Sequence, residues 1–168
     1  MNLDGKRVVI TGASRGIGAE IAKEFAAAGS QVVLSARTES AISNLANEIN
    51  GTAIPFDAND PEDARTYIDN VEDNVGPIDV LINNAGIEKS TLIEDITEKE
   101  IEETLRINLI TPQVLTAAVL PKMLSRGTGH LVYTSSIAAT TGNPAMSAYC
   151  SSKAGLTRYA ESLRMELR

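Results

Sequence analysis

Short apolar runs separated by longer amphipathic stretches recur along the whole chain. Arg7–Thr11 carries Val8-Val9-Ile10, a run without polar interruption that predicts a strand buried on both faces. Apolar positions then fall at Ile17, Ile21, Phe25 and Ala28, the spacing of a helix with one buried side, and Gly29 is placed to end it. The alternation repeats: a strand over 31–36, then a helix over 38–50 that Gly51 stops. A third strand is expected over 52–57. Its Pro55 cannot donate to a ladder, which places this strand at a sheet edge. Asp60-Pro61 reads as the cap and first residue of a helix ending before Gly76-Pro77. Val80–Asn83 predicts a fourth strand, and the capping box of Thr97 and Glu100 opens a long helix to about Ser125. A fifth strand over 129–134 and a last helix over 147–168 complete the pattern.

Strands alternating with helices imply an α/β fold: a Rossmann-type doubly wound parallel sheet, helices on both faces in three α/β/α layers. No repeat, low-complexity tract or linker divides the 168 residues, and 43% hydrophobic content suits one core, so residues 1–168 are expected to form a single domain. In such a sheet the ligand crevice lies where strand order reverses, here at the carboxyl ends of strands one and four. Leu156, Tyr159, Leu163 and Leu167 keep helical spacing up to Arg168, with no Gly, Pro or cap after them. The expectation is a chain that stops inside a helix, its final strands missing and its fifth strand at an edge.

Glycine supplies the first chemistry. Thr11-Gly12-Ala13-Ser14-Arg15-Gly16-Ile17-Gly18 stands between the first strand and its helix, where glycines permit a tight turn and close approach of an anion to backbone N–H groups. The helix that follows points its positive end at the same spot, and a pyrophosphate is the natural occupant. Charge narrows the partners. The net charge is −7, the pI 4.8, and no stretch concentrates Lys or Arg, which argues against nucleic acid and anionic membrane. The single cysteine, Cys150, cannot form an internal disulfide and fits a reducing compartment. With no uninterrupted apolar run near 18 residues and no signal-peptide pattern, the default expectation is a soluble cytoplasmic protein. His130 has no metal-ligand partners in sequence and is expected to be structural; no metal site is expected.

Tyr149 and Lys153 stand four residues apart, on one helix face. An ammonium about 4 Å from a phenol, at an effective dielectric near 20, favours the phenolate by roughly 4 kcal/mol. A tyrosine so placed can both give and take protons near neutrality. Ser135-Ser136, at the end of strand five, would stand on the opposite wall.

With these residues in place, the chain resembles the short-chain dehydrogenase/reductase family over its whole length. Thr11–Gly18 is similar to that family's T-G-x-x-x-G-x-G turn, Asn83-Asn84-Ala85-Gly86 to its N-N-A-G strand end, and Tyr149 with Lys153 to its Y-x-x-x-K pair. Ser136 precedes Tyr149 by thirteen residues, the spacing of the family's catalytic serine, and Asn108 matches its helix asparagine. The resemblance implies a tetrad. Tyr149 is the acid/base, Ser136 holds the substrate oxygen, and Lys153 favours the phenolate and binds the nicotinamide ribose. Asn108 holds a water of a proton relay through its main-chain carbonyl. Ser135 is the rival for the serine role. Independently, Pro112 lacks the N–H that a regular helix would direct at the Asn108 carbonyl, so a kink and a free carbonyl are expected there.

Cofactor choice follows from strand two. Its end, Ser35-Ala36-Arg37, has no acid for a ribose 2′-hydroxyl, while Arg15 and Arg37 suit a 2′-phosphate; NADP(H) is expected over NAD(H). Asp57 matches the family's acid beside the adenine, though it could equally cap a turn. The cofactor-binding set is Gly12, Ser14, Arg15, Gly16, Ile17, Gly18, Arg37, Asp57, Ala58, Asn84, Ala85 and Gly86, with Tyr149 and Lys153. Cys150 is expected to point off the catalytic face, and Glu88, Lys89, residues 140–144 and Met146 to border the substrate. The reading is an oxidoreductase acting on a small carbonyl or alcohol; the alternative is a non-catalytic dinucleotide-binding fragment or cofactor-sensing module. By resemblance a homo-oligomer, dimer or tetramer, is expected through the two long helices.

Overall fold

The computed structural model describes residues 2–167, so the expectation concerning Arg168 lies outside the described residues. Five parallel strands, β1 (Arg7–Thr11), β2 (Gln31–Ser35), β3 (Thr52–Ala53), β4 (Val80–Asn83) and β5 (His130–Tyr133), lie in the order β3-β2-β1-β4-β5. The order reverses between β1 and β4. Their register pairs Val8 with Val80, Val9 with Leu81 and Ile10 with Ile82, so Thr11 and Asn83 end side by side. This is the doubly wound arrangement expected from the alternation.

Each strand serves two cores, which is why β1 is apolar without interruption. Val9, Val33 and Leu81 face α3 (Pro61–Val75) and α5 (Thr111–Arg126), packing with Ile68, Val71, Leu115 and Val119. Val8, Ile10, Leu34 and Ile82 face the other way, against Ala22, Ile42 and Leu45 of α1 (Gly16–Ala27) and α2 (Glu39–Ile49). β3 does lie at an edge, as Pro55 required, but it is shorter than expected. The ladder lapses at the proline, while Ile54 N–H still donates to the Leu34 carbonyl (3.0 Å) and Phe56 N–H to that of Ala36 (3.1 Å).

The long helix expected after Thr97 is interrupted. α4 (Glu98–Leu105) opens with the capping box, a π turn occupies Arg106–Ile110, and α5 continues from Thr111. Thr111 N–H donates to Arg106, five residues back, so the expected kink takes the form of a widened turn just before Pro112. The whole helical stretch, Glu98–Arg126, is long and apolar enough to cross a membrane by length and composition, although charged and polar residues interrupt it. Here its apolar side is given to the core, with Leu115, Val119 and Met123 buried. β5 ends the sheet, and α6 (Ser147–Glu166) packs beside α4 and the π turn.

Candidate active site

The end of β1 is stitched to the end of β4 through Thr11 and Asn84. The Thr11 hydroxyl donates to the Ile82 carbonyl (3.3 Å) and accepts from the N–H groups of Asn84 and Ala85 (both 3.1 Å). Asn84 Nδ2 donates to the Thr11 and Gly12 carbonyls (3.1 and 3.3 Å), and its Oδ1 accepts from the Thr134 hydroxyl at the end of β5 (3.2 Å). This junction defines what the glycines do. Gly12 takes φ 68°, and a Cβ there would stand 2.7 Å from Ala85 Cα. A Cβ on Gly18 would collide with the Gly12 carbonyl oxygen and lie 2.6 Å from Asn84 Nδ2. Both are therefore needed for packing against β4, a constraint that the sequence-level account, framed around anion approach, did not contain. Beside Asn84, buried Asn83 finds no hydrogen-bond partner for its side chain among the described residues.

Beyond the glycine turn, α1 begins at Gly16 with Arg15 in extended conformation and no side-chain cap among the described residues. Its first N–H groups are left to an anion. A groove of about 490 Å³ runs from this point. Gly12, Ser14, Arg15, Ala36, Arg37 and Thr38 form one wall; Asp57, Ala58, Ala85, Gly86 and Ile107 contribute to the rest. Arg15 and Arg37 are exposed, and neither makes an ion pair among the described residues. Asp57 lines the groove, and its Oδ1 accepts from Asn59 N–H (2.9 Å) in a turn. Lys89 and Glu103, paired at 2.6 Å, close the outer rim. The volume and the uncapped helix start fit a dinucleotide. Gly16, Ile17, Gly18 and Asn84, also assigned to the cofactor, stand outside this lining; Gly16 and Ile17 are exposed at the start of α1, and the Asn84 side chain is engaged in the junction.

The groove leads to a cluster drawn from three elements. Lys153, 4% exposed, donates from Nζ to the Thr134 carbonyl (2.8 Å) and lies 5.9 Å from the centroid of the half-buried Tyr149 ring. Burial holds its ammonium below the ordinary lysine pKa. A Cβ on Gly86 would sit 3.3 Å from Asn108 Oδ1 and 3.5 Å from Lys153 Nζ, so β4's end, the π turn and α6 converge there. The Asn108 side chain is fully engaged. Oδ1 accepts from Ile87 N–H (2.9 Å), and Nδ2 donates to the Ile87 carbonyl (2.8 Å) and Ser152 Oγ (3.1 Å). Its side chain has no capacity left for a ligand, and residue 112 has no N–H to offer its main-chain carbonyl.

The two serines diverge. Ser136 Oγ accepts from Ala138 N–H (3.2 Å) at the start of a short helical turn, Ile137–Ala139. Ser135 is exposed, and its hydroxyl is paired with that of Thr157 two turns beyond Tyr149 (2.8 Å). Cys150 is a half-buried free thiol, and His130 is exposed, tied to the sheet through its N–H to the Asp79 carbonyl (2.8 Å). Sequence reasoning missed Thr11, Thr134 and Ser152 as supports of this cluster. Thr11 carried a signal, as the first residue of the glycine turn; the other two act through contacts that spacing does not reveal.

Fold and glycine turn together define a Rossmann-type dinucleotide-binding architecture. Comparison with known sequences gives the family: the short chain dehydrogenase family matches residues 6–168, and the chain belongs to it. It is 38% identical over 170 residues to a ketoacyl reductase, HetN, of Nostoc, spanning 98% of this chain and 59% of that protein. To the 3-oxoacyl-[acyl-carrier-protein] reductase of Escherichia coli it is 31% identical over 169 residues, 99% of this chain and 69% of that one. A solved metagenomic short-chain oxidoreductase in complex with NADP superposes with a TM-score of 0.94 at 33% identity, over 100% of this chain and 79% of the other. A short-chain dehydrogenase from Streptomyces avermitilis gives 0.92 at 34%, over 99% and 62%. The chain thus spans under three-fifths of the Nostoc relative's length.

Proposed function

We propose that this chain carries the cofactor-binding and catalytic part of an NADP(H)-dependent oxidoreductase that interconverts a carbonyl and a secondary alcohol. The observation that carries the reading is the meeting of Gly86, Asn108 and Lys153 beside Tyr149, since it gathers three separate sequence motifs at the mouth of one groove. When bound, the dinucleotide supplies or accepts the hydride. The chain's own residues do the rest. Arg15 and Arg37 hold a 2′-phosphate, and the first N–H groups of α1 hold the pyrophosphate. Tyr149 gives its hydroxyl proton to the carbonyl oxygen during reduction and takes one back during oxidation. Ser136 donates a hydrogen bond to the same oxygen. Lys153, fixed by the Thr134 carbonyl, keeps positive charge beside the phenol, and the Asn108 carbonyl holds the water that returns protons to it.

The NADP complex of the metagenomic relative supports the choice of phosphate-bearing cofactor. The ketoacyl and 3-oxoacyl reductase relatives put oxoacyl compounds first among substrates to test. Pairing of subunits through α4–α5 and α6 is part of the same proposal, supported by exposed Ile110, Leu124 and Met165 on those helices. A second reading, a dinucleotide-binding unit without turnover, draws support from the uncovered flank of β5, where Val132 is exposed.

Tyr149→Phe separates the two. It removes one hydroxyl and keeps the ring, so turnover should fall about 10²–10⁴-fold while NADPH affinity stays within about twofold. Measured by absorbance at the nicotinamide band and by fluorescence titration, a variant keeping a tenth of the wild-type rate would refute the acid/base role.

A further inference from the structure

We propose that Ala145 is a positioning residue whose left-handed backbone hooks the segment after β4 onto the start of α6 and thereby fixes Tyr149; this rests on the reading of Tyr149 as the acid/base. Two non-glycine residues have positive φ among the described residues. Asn50, at 53°, ends α2 and is a residue type that tolerates this region. Ala145, at 62°, has no such excuse: its side chain offers no local hydrogen bond to offset the conformation. Something around it must hold it there.

A local turn and a bond to a distant segment hold it: Met146 N–H donates to the Asn143 carbonyl (3.2 Å), closing a turn with Pro144 and Ala145 at its centre. The Ala145 carbonyl accepts from Thr91 N–H at 2.8 Å. Met146 follows at once as the N-cap of α6, with no side-chain cap, and its carbonyl accepts from Cys150 N–H (2.8 Å) as the helix's opening bond. Tyr149 lies in that first turn. The start of the helix is thus set by that turn together with the anchor at Thr91, both acting through Ala145.

Thr91 is itself firmly placed. Its segment is clamped to Asn108 through both main-chain groups of Ile87, and to α4 through the Lys89–Glu103 pair. Asn108 also grips α6 at Ser152, whose hydroxyl in turn donates to the Tyr149 carbonyl (2.7 Å). Tyr149 is therefore bracketed, with Ser152 on its carboxyl side and the Ala145–Thr91 hook on its amino side. If Ala145 relaxed to an ordinary φ, its carbonyl would turn from Thr91 and the amino-side bracket would open. Glycine would adopt the same φ freely but would also widen the range of the loop; alanine narrows it.

The test uses four variants. Ala145→Gly and Ala145→Asn can keep the left-handed conformation, Ala145→Val cannot, and Thr91→Pro removes the donor. Val and Pro should lower kcat about tenfold or more, since small misplacement of a reacting group is costly, while the NADPH Kd and substrate KM stay within about twofold. Gly and Asn should keep kcat within about threefold of wild type. Independently of turnover, exchange of the Thr91 amide should quicken about tenfold or more in Ala145→Val and not in Ala145→Asn. Unchanged kcat in Ala145→Val, a loss that Asn does not rescue, or a parallel rise in NADPH Kd would each overturn the proposal. Should the wild-type protein turn over no carbonyl substrate, the functional reading fails, and the exchange result alone decides the hook: quickening in Val supports it, equal rates overturn it.

Discussion

The two sides of β4 are finished very differently. On the β1 side, Thr11, Gly12, Asn84 and Ala85 join through hydrogen bonds and contacts so close that a methyl group cannot enter. On the β5 side, no strand pairs with the outer edge among the described residues, and Val132 is exposed. Beside that edge lies a cavity of about 760 Å³, lined by Leu120, Met123, Leu131, Leu163 and Leu167. It is larger than the groove at the glycine turn, and Thr128, His130, Tyr133 and Arg164 supply its polar lining. The difference teaches that the groove and the open edge of the sheet are shaped in separate places. A defect at the β1–β4 junction should reach the groove, whereas a change at the outer flank of β5, away from Thr134, should not.

The most disruptive way to test this is Gly18→Ala. Its methyl would have to displace the Gly12 carbonyl or the Asn84 amide, and overpacking of about 3 kcal/mol corresponds to a thermal midpoint roughly 6–12 °C lower in a domain of this size. NADPH binding should weaken with it. A midpoint within a degree of wild type would show that the junction is not rigid. Next comes Arg37→Asp, which leaves the junction intact and changes only the groove. Loss of one charge-assisted contact is worth about 1.5–3 kcal/mol, so NADPH affinity should drop roughly tenfold or more with little change for NADH, as paired titrations would read.

Lys153 gives a pH signature on the catalytic side. Its folded pKa lies below the unfolded value because it is buried, so between the two the unfolded chain holds a proton that the folded one lacks. Stability should therefore rise with pH through that alkaline interval, the burial penalty being present in full below it. Lys153→Met should flatten the rise in denaturant midpoints. The scan should stop near pH 10, because burial pushes Tyr133 up to about 12 and raises Tyr159, and such groups lower stability once the unfolded phenols ionise. The smallest effect expected is that of Val132→Lys at the open flank. Stability should move by no more than about 0.5 kcal/mol and NADPH affinity not at all, while sedimentation shows less self-association.

Much of this was written in local sequence. The strand positions, the edge position of β3 and the opening of α4 follow from apolar runs, Pro55 and the Thr97–Glu100 pair, each acting within a few residues. The site residues were legible as types at spacings. What was not legible depends on partners far along the chain. Nothing near Gly18 announces that Asn84 will stand against it, and nothing near Ala145 announces Thr91. Pro112 marked a disturbance in the long helix, but proline cannot say which of several widened or bent forms the neighbours will select.

That widened turn has a consequence of phase. A π turn amounts to one residue more than a regular helix needs, and each residue advances a helix by ~100°. α4 and α5 are thus two helices on nearly one axis with their faces set out of step. α4 can turn its side toward α6 while α5 presents Leu115 and Val119 to the core shared with α3. Deleting a single residue from Arg106–Ile110 would bring the faces back into step, and one of the two neighbours would lose its match.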